Sequence, residues 1–237
     1  MKEHPIIFSG QMVRAILDGR KTQTRRVVKP QPEPASCHPK CEPRVSYLGG
    51  GDWSINWATP KPDGEGHPNR FRHPFDGDWR DRDANSPFRC PYGATGDRLW
   101  VRETHAMIWP DECEPEDIRD CNIEYRADGD PMRLAGEWPS EFRGDPDVPR
   151  WRPSIHMPRW ASRITLEVVD VRVERLQEIT EADAVAEGVY GELGPLDITA
   201  RPLFGSLWNN INAKRGYSWE SNPWVWCVEF KTVGGDS

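Results

Sequence analysis

Ile16-Leu17-Asp18-Gly19-Arg20-Lys21-Thr22-Gln23-Thr24-Arg25-Arg26 is the stretch on which the reading of this chain turns. Just before it, Val13 stands three and four residues from Ile16 and Leu17, spacing that buries one face of a short helix. Ser9 suits its N-cap, and Gly19 suits a left-handed C-cap. Past the glycine, Thr22, Thr24 and Arg26 alternate with Gln23, Arg25 and Val27, the period of a strand. Such a strand has too few apolar residues to serve only as core. A polar partner is expected to meet it.

Working outward, residues 5–8 read as a strand before the helix and residues 22–28 as the strand after it. Between Pro30 and Thr95, 11 prolines and 7 glycines fall among 66 residues, a composition typical of irregular chain. Trp53, Trp57, Phe71, Phe75 and Trp79 lie in the same window and argue for order. Residues 30–95 are therefore expected to form an ordered but irregular insertion. A strand at 98–104 follows the Gly93–Gly96 turn. A second insertion covers about 106–150; it is acidic at first and holds a strand-like piece, Ile123-Glu124-Tyr125-Arg126.

Residues 161–176 read as the longest strand. Ile164, Leu166 and Val168 alternate, and then Val169, Val171 and Val173 take over with opposite parity. A slip of one residue is the mark of a β-bulge. Thr180 with Asp183 suits the start of a helix ending at Glu187-Gly188. Phe204, Leu207, Trp208 and Ile211 stripe a further helix that Gly216 can close. Trp224, Trp226, Val228 and Phe230 share one face of a last strand. Strands outnumber helices and helices sit between them, so the expected class is α+β, a small mixed barrel with peripheral helices. Residues 1–237 read as one domain carrying the two insertions.

A net charge of −7 argues against a generally basic nucleic-acid coat and leaves room for a local basic groove. No apolar run approaches the ~20 residues that cross a bilayer, and the opening residues lack a signal-peptide core. A soluble, cytosolic protein without a membrane partner is expected. Six cysteines are too few for a disulfide scaffold, so thiols or metal ligands are expected. Cys37-His38-Pro39-Lys40-Cys41, with Cys90, could clip a structural zinc ion, free thiols being the alternative. No other cofactor is implied. Phosphate-loop, nucleophile-elbow and zincin signatures do not occur.

Gly19-Arg20-Lys21-Thr22-Gln23-Thr24-Arg25 resembles the signature of the ASCH domain, a member of the PUA-like superfamily. Its common pattern is approximately Gly-x-Lys-x-x-Glu-x-Arg, and Thr24 stands where many members have the glutamate. A threonine there is similar to the small bacterial N4-acetylcytidine amidohydrolases. Residues 179–188 resemble the family helix that ends in Ala-x-x-Glu-Gly, and Trp224-Val225-Trp226-Cys227-Val228-Glu229-Phe230 resembles the family's last strand. Together with Gly96-Asp97-Arg98-Leu99-Trp100-Val101-Arg102-Glu103, the chain resembles the longer phage and prophage form.

The resemblance implies a PUA-like pseudobarrel and a catalytic set of Lys21, Thr24 and Glu187. Thr24 would be the nucleophile, Lys21 its base, and Glu187 the group that orients or relays protons. A threonine hydroxyl needs such a base. Lysine serves only if burial or cationic neighbours such as Arg20, Arg25 and Arg26 depress its pKa. In a straight strand Lys21 and Thr24 point to opposite faces, so they converge only if the turn after Gly19 is still unwinding at Lys21. The plainer reading has Lys21 and Arg25 binding phosphate, Thr24 pairing across the sheet and Glu187 bridging an arginine.

Trp100, flanked by Arg98 and Arg102, is a candidate stacking platform for a base, and Arg20, Arg25, Arg26, Arg102 and Glu103 are candidates to bind the ligand. The expected ligand is a nucleoside, a modified base or single-stranded RNA. Hydrolysis of N4-acylated cytidine, noncatalytic nucleic-acid binding, ribonuclease action and a host-protein adaptor role all stay open at this point.

Overall fold

The computed structural model describes residues 1–31, 42–49, 52–58, 88–108, 121–129, 150–189 and 199–234. The chain opens with β1 (Glu3–Ile7), α1 (Gly10–Leu17) and β2 (Gln23–Val27). The first insertion carries β3 (Glu42–Gly49), β4 (Asp52–Ala58) and β5 (Phe88–Arg89). Next come β6 (Arg98–Arg102), β7 (His105–Ile108), β8 (Asn122–Tyr125) and β9 (Thr165–Arg175). Two helices, α2 (Glu181–Ala186) and α3 (Ala200–Asn212), lead to β10 (Trp224–Val233). No helix among the described residues is long and apolar enough to cross a membrane.

The main sheet has the order β1-β6-β9-β10-β2. β1 and β6 pair parallel, and the other neighbours pair antiparallel. The class is therefore α+β with a mixed sheet. Among the described residues the ladder stays open between its edge strands, β1 and β2.

The parity slip in β9 is visible in the register. Glu229 pairs with Asp170 while Phe230 pairs with Val168, so Val169 is the extra residue of a bulge. Leu166 and Val168 are buried before it, Val171 and Val173 after it, and Val169 itself is 45% exposed. One inserted residue keeps both halves of the strand facing the core.

Each face of the sheet carries a core. On one, Ile6, Phe8, Leu99, Val101, Leu166, Trp226 and Phe230 pack together, and Phe8 meets Phe230 at 6.1 Å between ring centroids. Trp53 of β4 stands edge-on to Trp226 at 6.2 Å, so the first insertion docks on this core. On the other face, Val225 packs with Leu176 and Ile179 beneath Ala184 of α2 and Phe204 and Trp208 of α3. Burying each of the larger side chains contributes about 1.5–3 kcal/mol.

Two expectations need correction. The described part of the first insertion is more regular than its prolines and glycines predict, because β3, β4 and β5 form an antiparallel sheet with Tyr47 opposite Trp53. The expected stripe on α3 is rotated: Ala200, Phe204, Gly205 and Trp208 are buried, whereas Ile211 is 43% exposed. A side chain on Gly205 would begin 3.3 Å from the Trp219 ring. The small residue lets that ring sit close and draws the buried face toward it.

Candidate functional site

The motif segment is built by the way α1 ends. Gly19 takes φ +70°, and the amides of Arg20 and Lys21 both donate to Ala15 O at 2.9 Å. The chain is thus still unwinding from the helix at Lys21. A matching turn closes α2, where Glu187 is the C-cap and Gly188 takes φ +80°. A Cβ on Gly188 would come within 3.0 Å of both Ala15 and Lys21. Glycine there lets the two turns touch, and Lys21 and Glu187 then pair as an isolated antiparallel bridge.

The Lys21 side chain is fully buried. Its Nζ donates at 2.8 Å to Gln23 O, to Glu187 O and to Glu187 Oε2. An ammonium has three protons, and all three are used. Burial pulls the Lys21 pKa below its ordinary value, against the opposing pull of Glu187, with Arg26 and Arg25 adding to the depression. The other Glu187 oxygen lies 3.5 Å from Arg25 Nη1.

Register sorts the rest of β2. Thr24 pairs with Val228 and Arg26 with Trp226, and cross-strand partners share a face, so both side chains point toward the first core. Thr24 is only 3% exposed. Arg26 donates from Nη2 to Ile7 O at 2.6 Å and lies over the Phe8 ring at 5.1 Å and the Tyr92 ring at 6.0 Å. Its Nε is buried without a hydrogen-bond partner among the described residues.

Gln23 and Arg25 take the opposite face, under α2. Arg25 Nη2 reaches Glu174 at 2.9 Å and Asp183 at 3.3 Å. Arg172 joins the same layer through Glu174, Glu229, Asp183 and Gln23.

A cavity of about 280 Å³ lies between α1, the Glu187–Val189 segment and α3. Its walls include Met12, Val189, Leu203 and Leu207, and its polar lining includes Gln11, Arg20, Ser206, Asn210 and Glu187. Apolar and polar side chains thus share the lining.

The structure therefore joins Lys21 to Glu187 and brings Arg20 and Glu187 to one cavity, while Thr24 and Arg26 face the core side of β2. Arg20 is paired with exposed Asp18 at 2.8 Å. Trp100 and Arg102 lie elsewhere, because buried Leu99 and Val101 turn them to the outer face of β6. Glu103 is buried just past β6 and takes a two-pronged bond from Arg163 at 3.0 and 3.1 Å. Burial pushes the Glu103 pKa up against that pairing.

Of the three cysteines considered for zinc, Cys37 and Cys41 lie outside the described residues. Cys90 is buried, which pushes its thiol up to about 12. Among the described residues no three side chains gather to hold a metal.

Sequence reasoning passed over the rings around Arg26. Phe8 could have been found, since it shares the parity of Ile6 just beyond β1. Tyr92 sits in a turn with no periodic signal. Comparison of the chain with protein-family models, curated proteins and solved structures finds no match to any of them.

Proposed function

We propose that this chain is a PUA-like protein that recognises a nucleobase or nucleoside in the cavity at Glu187. The observation that carries the reading is the buried Lys21–Glu187 pair, held at 2.8 Å, with residue Glu187 bordering a cavity also lined by Arg20, Gln11 and Asn210. A carboxylate has about four lone-pair positions, so Glu187 can hold Lys21 on one oxygen and Arg25 at 3.5 Å on the other and still accept from a base amine or ring N–H. Gln11 and Asn210 supply amide donors and acceptors for a base edge, and Arg20 supplies a cation for a phosphate or sugar oxygen. Met12, Leu203 and Leu207 give the base an apolar bed.

The pseudobarrel belongs to this proposal. Arg26 reaches from one edge strand to Ile7 O of the other, and Phe8 lies on Phe230 of β10. Both contacts draw the edges of the open ladder toward each other.

Hydrolysis of N4-acylated cytidine is the second reading, favoured by the burial of Thr24 on the strand that follows the buried Lys21–Glu187 pair. Against it, Lys21 spends all three protons on acceptors and makes no hydrogen bond to Thr24, so a base would first have to be released.

The test is calorimetric titration with cytidine and with N4-acetylcytidine, each mixture then run on a column to look for released cytidine. Binding of either compound that Ser206→Trp abolishes by filling the cavity, in a variant that melts like the parent, is the expected result. Cytidine appearing from the acetylated compound, and not with Thr24→Val, would install the hydrolase instead. A folded protein that binds neither compound ends the proposal.

A further inference from the structure

We infer that the β7–β8 pair is an acid-released clasp on α1, with His105 as its latch. The clasp itself stands apart from base recognition; only its bearing on a ligand rests on that reading. His105 opens β7 and is wholly buried. Its backbone amide and carbonyl pair with those of Arg152 at 3.3 and 2.7 Å, and its Nδ1 lies 3.2 Å from Glu103 O. A carbonyl only accepts, so Nδ1 carries the proton of the neutral ring and Nε2 the lone pair. Nε2 is buried without a hydrogen-bond partner among the described residues.

A proton added at Nε2 would meet no acceptor, and an unpaired buried charge is costly. The neighbours make it costlier. Arg102 at the end of β6, with Arg152 and His156 ahead of β9, disfavours charge on the ring. The Glu103 carboxylate has both oxygens on Arg163, at 3.0 and 3.1 Å, and Asp128 holds the same guanidinium at 2.7 Å. Tyr125, opposite His105 in register, donates its hydroxyl to Ala161 O at 2.9 Å and lies under Arg163. Glu124 pairs with Ala106 and so takes the other face of the pair. Each of these carboxylates is committed or turned away. Burial, helped by the cations and opposed by Glu103 O, accordingly holds the His105 pKa below its ordinary 6.5. The neutral ring therefore supports closure fully above about pH 6.5, and that support is lost as pH falls toward the folded value.

The clasp reaches α1 through the turn after β8. The Arg126 amide donates to Thr104 O at 3.0 Å, beside His105, which ties that turn to the start of β7. Next to it, Ala127 is buried in the first core. Its carbonyl accepts from Arg14 Nη1 of α1 at 3.1 Å, and a Cβ on Gly10 would stand 3.7 Å from its Cα. Ser9, Gln11 and Met12, at the same end of α1, line the cavity. Loosening β7–β8 thus frees the turn of helix that forms one wall of the site. No histidine lines the cavity itself, so its response to mild acid comes through His105.

The experiment follows hydrogen exchange of the full chain, corrected for intrinsic rates, at neutral pH and about one unit below 6.5. Opening of the β7, β8 and Gly10–Arg14 amides should rise about tenfold in acid relative to the β9–β10 ladder. His105→Asn, which keeps a donor for Glu103 O and cannot titrate, should lose that rise, and His4→Gln should keep it. An equal rise in His105→Asn overturns the latch. A rise shared by β9 and β10 overturns a local clasp, and one confined to β7 and β8 overturns its hold on α1. Should His105→Asn fail to fold, NMR of the His105 ring in the parent decides. Titration at the ordinary value with β7 and β8 still protected overturns the proposal; titration below it, in step with their opening, upholds it. Calorimetry with cytidine at both pH values separates the two readings. Affinity that falls in acid in the parent but not in His105→Asn ties the clasp to the site, and affinity unchanged while Gly10–Arg14 opens overturns that tie. Exchange needs no ligand, so a protein that opens as expected yet binds no cytidine upholds the clasp and removes the base reading.

Discussion

Lys21 holds three acceptors with three protons while wholly out of water, and this fixes what its loss would do. Breaking a buried ion pair strands the remaining charge, at about 3–5 kcal/mol. Glu187 keeps a long contact with Arg25 at 3.5 Å, so Lys21→Met should fall near the low end, about 3 kcal/mol. Adding Glu187→Gln removes the stranded carboxylate. The double variant should thus cost less than the sum of the singles by about 1–3 kcal/mol in urea unfolding; simple additivity would contradict the pairing. This pair was anticipated only through the resemblance of the two short motifs that carry it, since no local pattern joins residues so far apart in the chain. Trp100 and Arg102 were legible only in part. Their residue types pointed to a ligand, but grouping them with Lys21 ignored the parity of Leu99 and Val101, which turns them to the other face.

At the scale of elements, the bulge in β9 follows from parity alone, a signal held entirely within neighbouring residues, and so it could be read before any pairing was known. Deleting Val169 would force either Leu166 and Val168 or Val171 and Val173 out of the core. Two such side chains represent about 3–6 kcal/mol of burial, much of the margin of an ordinary domain. The deletion variant should lose its cooperative thermal transition, and a normal melt would mean the register adjusts elsewhere. The start of α2 is equally local. Thr180 and Asp183 cap each other's amides. Burial pushes the Asp183 carboxyl up, but its bonds from the Thr180 hydroxyl and amide, with Arg25 nearby, outweigh this and hold it below the ordinary 3.8. A depressed carboxyl adds stability that is complete above its unfolded pKa and fades as pH falls through the lower folded value. Asp183→Asn should therefore be less stable than the parent at neutral pH, with the gap closing below about pH 4; a gap unchanged in acid would mean Asp183 stays neutral. The buried face of α3 was less legible, since Trp219, which draws in Phe204 and Gly205, belongs to the following loop.

Across the whole molecule, what escaped the sequence is what depends on partners far apart in the chain. The parallel pairing of β1 with β6 joins residues about as distant as Lys2 and Asp97, and no local pattern announces it. The same holds for the first insertion. Its prolines and glycines pointed to irregular chain, and they outweighed the strand-like sequence of Asp52–Ala58. The docking of this sheet through Trp53 on Trp226 decides whether the insertion is an appendage or part of the core. Trp53 is half-buried, so Trp53→Ala should cost about 2 kcal/mol, below the 3–5 typical of a fully buried tryptophan. If the insertion and the main sheet form one cooperative unit, that cost should move a single urea transition followed by circular dichroism and by tryptophan fluorescence alike. Two separated transitions, or an unshifted main transition, would mean that the insertion folds on its own account and that Trp226 needs no cover.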